Sequence, residues 1–379
     1  MNSKERFLVA LNHEEPDRVP LIFTNVMDGF KERWQKRYED EVNPDDVILF
    51  GGHDLTMAKH LGFDAAWSVV PEHFDCAPDP AEFKSRLPVL KASQSISSDG
   101  RIHEHGMLAG KNHAWYTGPG LRDPELWLEW FGKFKPAPLP SAAIAGLKRG
   151  YAAATSGPNG GFLPLPVISA VFETVVESLG LDEFSRLCRK DMATLEKMLD
   201  IVTEHRIVHA RDMGRVGIDV AVMGDDSAYK GRPYISPKLH DALIVPRYAK
   251  IAAELHRAGA KLLLHSDGFT EPYFPGLVKA GIDGVHTIEK AAGMDLGHLK
   301  VTWGDKIALM GPVDCAEVLS YGTPATVEAE IITLLKQGAR GGGFAMGPCT
   351  ALLDTVPLDN VHAMVAATLK YGKYPLARF

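Results

Sequence analysis

From about residue 160 to the C-terminus, short apolar runs alternate with longer amphipathic stretches, and this alternation leaves few architectures open. The runs are Phe162 to Phe172, Ile218 to Gly224, Leu262 to Leu264, Val285 to Ile288, Ile307 to Gly311 and Phe344 to Gly347. Continuous apolar character of this kind suits strands buried on both faces. Helical spacing marks the intervals, at Leu187 to Met213, Ser236 to Ala258, Pro272 to Ala280 and Thr326 to Lys336. Ser236-Pro237 and Thr323-Pro324 set a capping side chain ahead of a proline at the first helical position. Gly259 and Gly338 stand where helices should stop. Strands alternating with helices call for a parallel sheet joined by right-handed crossovers.

An open sheet gathers function at one switch point, whereas a closed (β/α)8 barrel collects it from many strand ends at one mouth. Here the runs finish on Glu173, on Asp225-Asp226, on His265 with Asp267, on His286 with Glu289, and on Cys349. That dispersal favours a TIM barrel, read as a single domain over residues 1–379. Residues 1–18 read as a helix outside the barrel, and Val19 to Phe23 as its first strand. Residues 26–150 are less regular and carry Trp34, Trp67, Trp115, Tyr116, Trp127 and Trp130 among turns. They are expected to cover the barrel mouth.

A net charge of −7 gives no basic face for nucleic acid. The four cysteines, Cys76, Cys188, Cys315 and Cys349, are scattered without a CxxC pair, which points to a reducing, cytoplasmic setting. No apolar run is long enough to span a bilayer, and Met1 to Arg6 lacks the apolar core of a signal peptide.

The densest chemistry lies in Leu262-Leu263-Leu264-His265-Ser266-Asp267-Gly268 and in Gly341-Gly342-Gly343-Phe344-Ala345-Met346-Gly347-Pro348-Cys349. Residues two apart on a strand share a side, so His265 and Asp267 can converge while Ser266 faces away. Imidazole, carboxylate and thiolate are all zinc ligands, and the spacing proposes a metal site at a strand end. Competing roles exist: Asp267 as the cap of a helix near Thr270, Cys349 as a small buried hydrophobe, Glu173 as a helix-start carboxylate. Cys76, Cys188 and Cys315 read as structural. The triple glycine precedes a strand, so it reads as a tight turn and not as a phosphate loop.

Several stretches together resemble the uroporphyrinogen decarboxylase superfamily. They are Glu5-Arg6-Phe7-Leu8 through Glu15-Pro16-Asp17-Arg18-Val19-Pro20, Met223-Gly224-Asp225-Asp226, His265-Ser266-Asp267-Gly268, Leu277 to Asp283, and Gly347-Pro348-Cys349 followed by Asp354-Thr355-Val356-Pro357. The resemblance spans nearly the whole chain and implies a TIM barrel with its site at the C-terminal mouth. Porphyrin decarboxylases of that superfamily carry an arginine-rich grip after the first strand, and a His near the last strand. Thr24-Asn25-Val26-Met27-Asp28-Gly29-Phe30 has no arginine, and Cys349 stands near the last strand. The corrinoid-dependent methyltransferase branch binds zinc through a His-x-Cys pair and a distant Cys. This chain keeps His265 and Cys349 and replaces the first Cys by Asp267.

With this branch as guide, the expected zinc ligands are His265, Asp267 and Cys349, with Glu173 fourth. Such a set is harder than an all-sulfur one and suits polarising an oxygen. The expected reaction is O-demethylation, passing methyl from a methoxylated, aromatic compound to the cobalt of a corrinoid. No Asp-x-His-x-x-Gly attachment motif is present, so the corrinoid is expected on a separate partner protein. Asp225, Asp226 and Glu173 are the catalytic candidates, as proton donors or as orienters of His265. Tyr229, His286, Trp115 and Tyr116 are expected to line the substrate pocket. The resemblance also implies a homodimer. The alternatives are a metal-independent decarboxylase of a polycarboxylate, with Asp225 or Asp226 protonating a carbanion, and a non-catalytic tetrapyrrole chaperone.

Overall fold

A computed structural model of the chain describes residues 1–38, 40–42, 47–108, 111–156 and 161–376. Eight parallel strands follow one another around a barrel: β1 (Ile22–Phe23), β2 (Ala65–Ser68), β3 (Leu163–Ile168), β4 (Val220–Gly224), β5 (Lys261–His265), β6 (Gly284–His286), β7 (Ala308–Met310) and β8 (Phe344–Ala345). The ring closes where the amide of Ile22 donates to the Met346 carbonyl and the amide of Met346 donates to that of Pro20, each at 2.9 Å. The apolar runs fill the interior, with Val220, Val222, Leu262 and Leu263 fully buried.

Strand boundaries fall inside the apolar runs. Phe162 to Phe172 is not one strand: β3 ends at Ile168, and Phe172 opens the helix Phe172–Leu179. Leu187 to Met213 divides at Asp191, whose side chain caps the helix Met192–Val216. Ser236 to Ala258 divides at Ile244, between Pro237–Leu243 and Val245–Arg257.

The N-terminal stretch ties the barrel's far end together. The helix Ser3–Leu11 starts in a capping box between Asn2 and Glu5. Its Arg6 donates to Asp17 and to Asp64 at 2.7 Å, while Arg18 donates to both Asp64 oxygens at 2.7 and 2.9 Å. Asp64 is fully buried just ahead of β2 and also accepts from the Leu21 amide. One carboxylate thus joins β1, β2 and the outer helix.

Residues 26–150, expected to cover the mouth, contain the barrel strand β2. The rest of this region includes the helix Asp28–Tyr38 and a three-stranded antiparallel sheet of Gln94–Ile96, Arg101–Leu108 and Lys111–Pro119, followed by the helices Pro124–Gly132 and Ser141–Ser156. Trp127 and Trp130 are core residues; their indoles donate to Ser178 Oγ at 2.7 Å and the Ser98 carbonyl at 2.8 Å. No helix among the described residues is long and apolar enough to cross a membrane.

Candidate active site

Residues at and just beyond the strand ends build the mouth. His265 is the last residue of β5 and pairs in register with Gly224 of β4 and His286 of β6. Asp226 and Asp267 lie two residues past the ends of their strands, and the Asp267 amide donates to Asp226 Oδ1 at 2.8 Å. Ligand atoms of Asp226, His265 and Asp267 all lie within 4.8 Å of one another. The Nε2 of His265 stands 3.7 Å from Asp267 Oδ1.

Burial, then the nearby Asp226 and Glu289, push the Asp267 carboxyl up to about 7. Burial holds the His265 imidazole below its ordinary value, opposed by Asp226. Two crowded carboxylates facing a neutral imidazole are the donors a divalent cation takes, and a cation there relieves their repulsion. The three residues fit a zinc ion.

Glu173 lies alongside, one of its oxygens accepting from the Asp226 amide at 3.3 Å. It belongs to the first turn of a helix, not to a strand end. Burial, Asp226 and Glu177 push its carboxyl up to about 8. It is therefore a carboxylic acid near neutrality, suited to donating a proton.

Asp225 does not share that role. It is fully buried and accepts from the backbone amides of Val171, Phe172 and Glu173 at 2.7 to 2.9 Å, and from the Tyr248 hydroxyl at 2.8 Å. Burial raises its pKa, and these four donors pull the other way. A carboxylate so enclosed caps the helix that presents Glu173 and has no face left for substrate.

Cys349 is also placed otherwise than the sequence suggests. Among the described residues its sulfur is no member of the Asp226–His265–Asp267 group. Its neighbour is the Cys315 thiol, and that contact together with burial raises the Cys349 pKa. Cys315, expected to be structural, is the buried partner in this pair.

His286, expected against substrate, is fully buried. Its Nδ1 is 2.8 Å from His265 Nδ1 and its Nε2 is 3.1 Å from the Pro348 carbonyl. Tyr229, Trp115 and Tyr116 keep substantial exposure at the rim. Tyr229 packs edge-on to Tyr234, and the Tyr116 hydroxyl donates to the Glu177 carbonyl at 3.1 Å.

Sequence reasoning missed Trp67 of β2, whose ring meets His265 edge-on at 4.9 Å and His286 at 5.9 Å. It also missed Arg101, which pairs with Glu177 behind Glu173. The Asp64-Ala65-Ala66-Trp67 stretch has too short an apolar run to signal a strand. Between the ends of β1 and β2 a cavity of about 400 Å³ is walled by Phe23, Trp34, Leu55, Met57 and Trp67, with Asp28, Lys31 and Asp54 at its polar parts.

The sequence profile of the family described as Uroporphyrinogen decarboxylase (URO-D) matches residues 164–371, more than half of the chain. The chain belongs to the uroporphyrinogen decarboxylase family. A methylcobamide:CoM methyltransferase MtaA of Methanosarcina barkeri (strain Fusaro) is 26% identical over 97% of this chain and 98% of its own length. A second MtaA of Methanosarcina barkeri, also 26% identical, is matched over 51% of this chain and 54% of its own length. The uroporphyrinogen decarboxylase of Coxiella burnetii is 25% identical over 46% of this chain and 47% of that enzyme. Among solved structures, a methyltransferase from Methanosarcina mazei superposes with a TM-score of 0.67 at 20% identity, covering 98% of this chain and 99% of that one. That likeness establishes the shared barrel.

Proposed function

We propose that this protein is a zinc-dependent, corrinoid-linked methyltransferase that removes methyl from an ether oxygen, with a methoxylated aromatic as donor. The observation that carries the reading is the oxygen- and nitrogen-only group Asp226, His265 and Asp267 at the mouth of a barrel matching MtaA along its length. Where that branch of the superfamily has sulfur, this chain has Asp267. A zinc ion held there supplies Lewis acidity toward the donor's oxygen, and a corrinoid brought by a partner protein supplies the acceptor of the methyl group.

The chain's own residues do the rest. Glu173, protonated near neutrality, gives its proton to the oxygen as the carbon–oxygen bond breaks, so a neutral phenol leaves. Asp225 and Tyr248 hold the turn that aims Glu173. The cavity beside Trp67 receives the aromatic body of the donor; its described lining holds no arginine and sets two carboxylates against one lysine. This lining disfavours a polycarboxylate and so disfavours the decarboxylase alternative.

The test is to mix the zinc-loaded protein with cob(I)alamin and a panel of methyl aryl ethers, following methylcobalamin by absorbance. Methylation with at least one ether supports the reading. Failure across the panel, with turnover of a polycarboxylate by the metal-free protein, overturns it.

A further inference from the structure

We propose that His286 is a positioning residue that, together with the Pro348 carbonyl, fixes the tautomer of His265 and leaves a bare Nε2 lone pair facing Asp226 and Asp267. That this lone pair serves a cation rests on the function proposed above; the tautomer itself does not.

The Pro348 carbonyl sets the direction of every hydrogen bond in the relay. A carbonyl oxygen only accepts, so the Nε2 of His286, 3.1 Å from Pro348 O, carries a hydrogen. His286 is fully buried and has no carboxylate partner among the described residues, a setting in which a charged ring is costly. A neutral imidazole has one N–H, so the Nδ1 of His286 accepts. The Nδ1 of His265, 2.8 Å away, must then donate. With that hydrogen on Nδ1, the neutral form of the ring has its bare nitrogen at Nε2, 3.7 Å from Asp267 Oδ1. The hydrogen bond made by one ring nitrogen decides what the other can bind.

The surroundings are shaped for this relay. Register between β5 and β6 sets the two rings side by side, and Trp67 closes against both. Gly311, with φ +64°, leaves the space for the His286–Pro348 contact: a Cβ there would fall 2.2 Å from His286 Nε2 and 2.9 Å from Pro348 O. No larger residue is compatible with the contact. The Gly347-Pro348-Cys349 segment thus reaches the site through a backbone carbonyl, while its thiol faces Cys315.

The experiment labels histidine with 15N in the full-length, metal-free protein and identifies the His265 ring by its loss in His265→Asn. Long-range proton–nitrogen spectra at pH 8 are expected to show Nδ1 protonated and Nε2 bare. His286→Leu is expected to move the hydrogen to Nε2 and to weaken zinc binding about 10- to 100-fold, read by competition with a chromophoric chelator. His286→Gln, whose amide both accepts and donates, is expected to restore much of that affinity. A wild-type His265 protonated on Nε2 overturns the proposal even if His286→Leu fails to fold. So does a folded His286→Leu with unchanged tautomer and affinity. A wild-type protein with the expected tautomer that binds no zinc supports the relay and overturns the metal reading instead.

Discussion

Glu173 makes the metal-free protein less stable in alkali, and the size of the effect comes from its surroundings. Its carboxyl titrates near 8 in the folded chain against an ordinary 4.5, because burial, Asp226 and Glu177 oppose the charged form. A raised acid pKa means that the folded state binds the proton more tightly. The stability it confers is full below the unfolded value and is lost as pH rises through the folded one. Between pH 6 and pH 9 the linkage relation gives a loss of about 2 to 3 kcal/mol from this group. Glu173→Gln cannot ionise and removes that dependence. Urea unfolding of both proteins at pH 6, 7, 8 and 9, with chelator present, measures it. The variant is expected to gain on the wild type steadily with pH, with Asp267, held near 7, leaving a residual slope in both. Parallel pH profiles for the two proteins would refute the assignment of Glu173 as a neutral acid.

Further expectations concern the same network and the barrel's far end. Glu173→Gln should lower turnover about 100- to 10,000-fold, read from methylcobalamin formation. Asp267→Ala should abolish zinc retention on dialysis while Cys349→Ser keeps it, as metal analysis of the two proteins would show. Asp64→Asn should cost about 3 to 5 kcal/mol in urea unfolding, because it leaves buried Arg6 and its neighbour Arg18 without their shared carboxylate.

The barrel is legible in the sequence because its later strands are uninterrupted apolar runs ending on polar residues, a pattern that a buried parallel strand imposes. β2 is not, since Asp64-Ala65-Ala66-Trp67 carries only two small residues and one aromatic, and its burial comes from neighbours distant in sequence. His265 and Asp267 are legible together because strand periodicity alone places them on one side. Asp226 and Asp225 are not separable by sequence: adjacent carboxylates at a strand end point opposite ways. Only the position of the Val171–Glu173 turn shows which one is consumed as a cap. Cys349 joins the expected metal ligands from its place after a strand and from the resemblance, and the packing of Cys315 against it, far back along the chain, carries no local signal. His286 stands out by its chemistry, but its role depends on register with β5 and on the space left by Gly311.

The central claim is that oxygen and nitrogen, without sulfur, surround the cation. X-ray absorption at the zinc edge of the zinc-loaded protein measures this directly. The expected result is a first shell of light atoms at about 2.0 to 2.1 Å and no sulfur shell. A zinc–sulfur distance of about 2.3 Å, lost in Cys349→Ser, would contradict it.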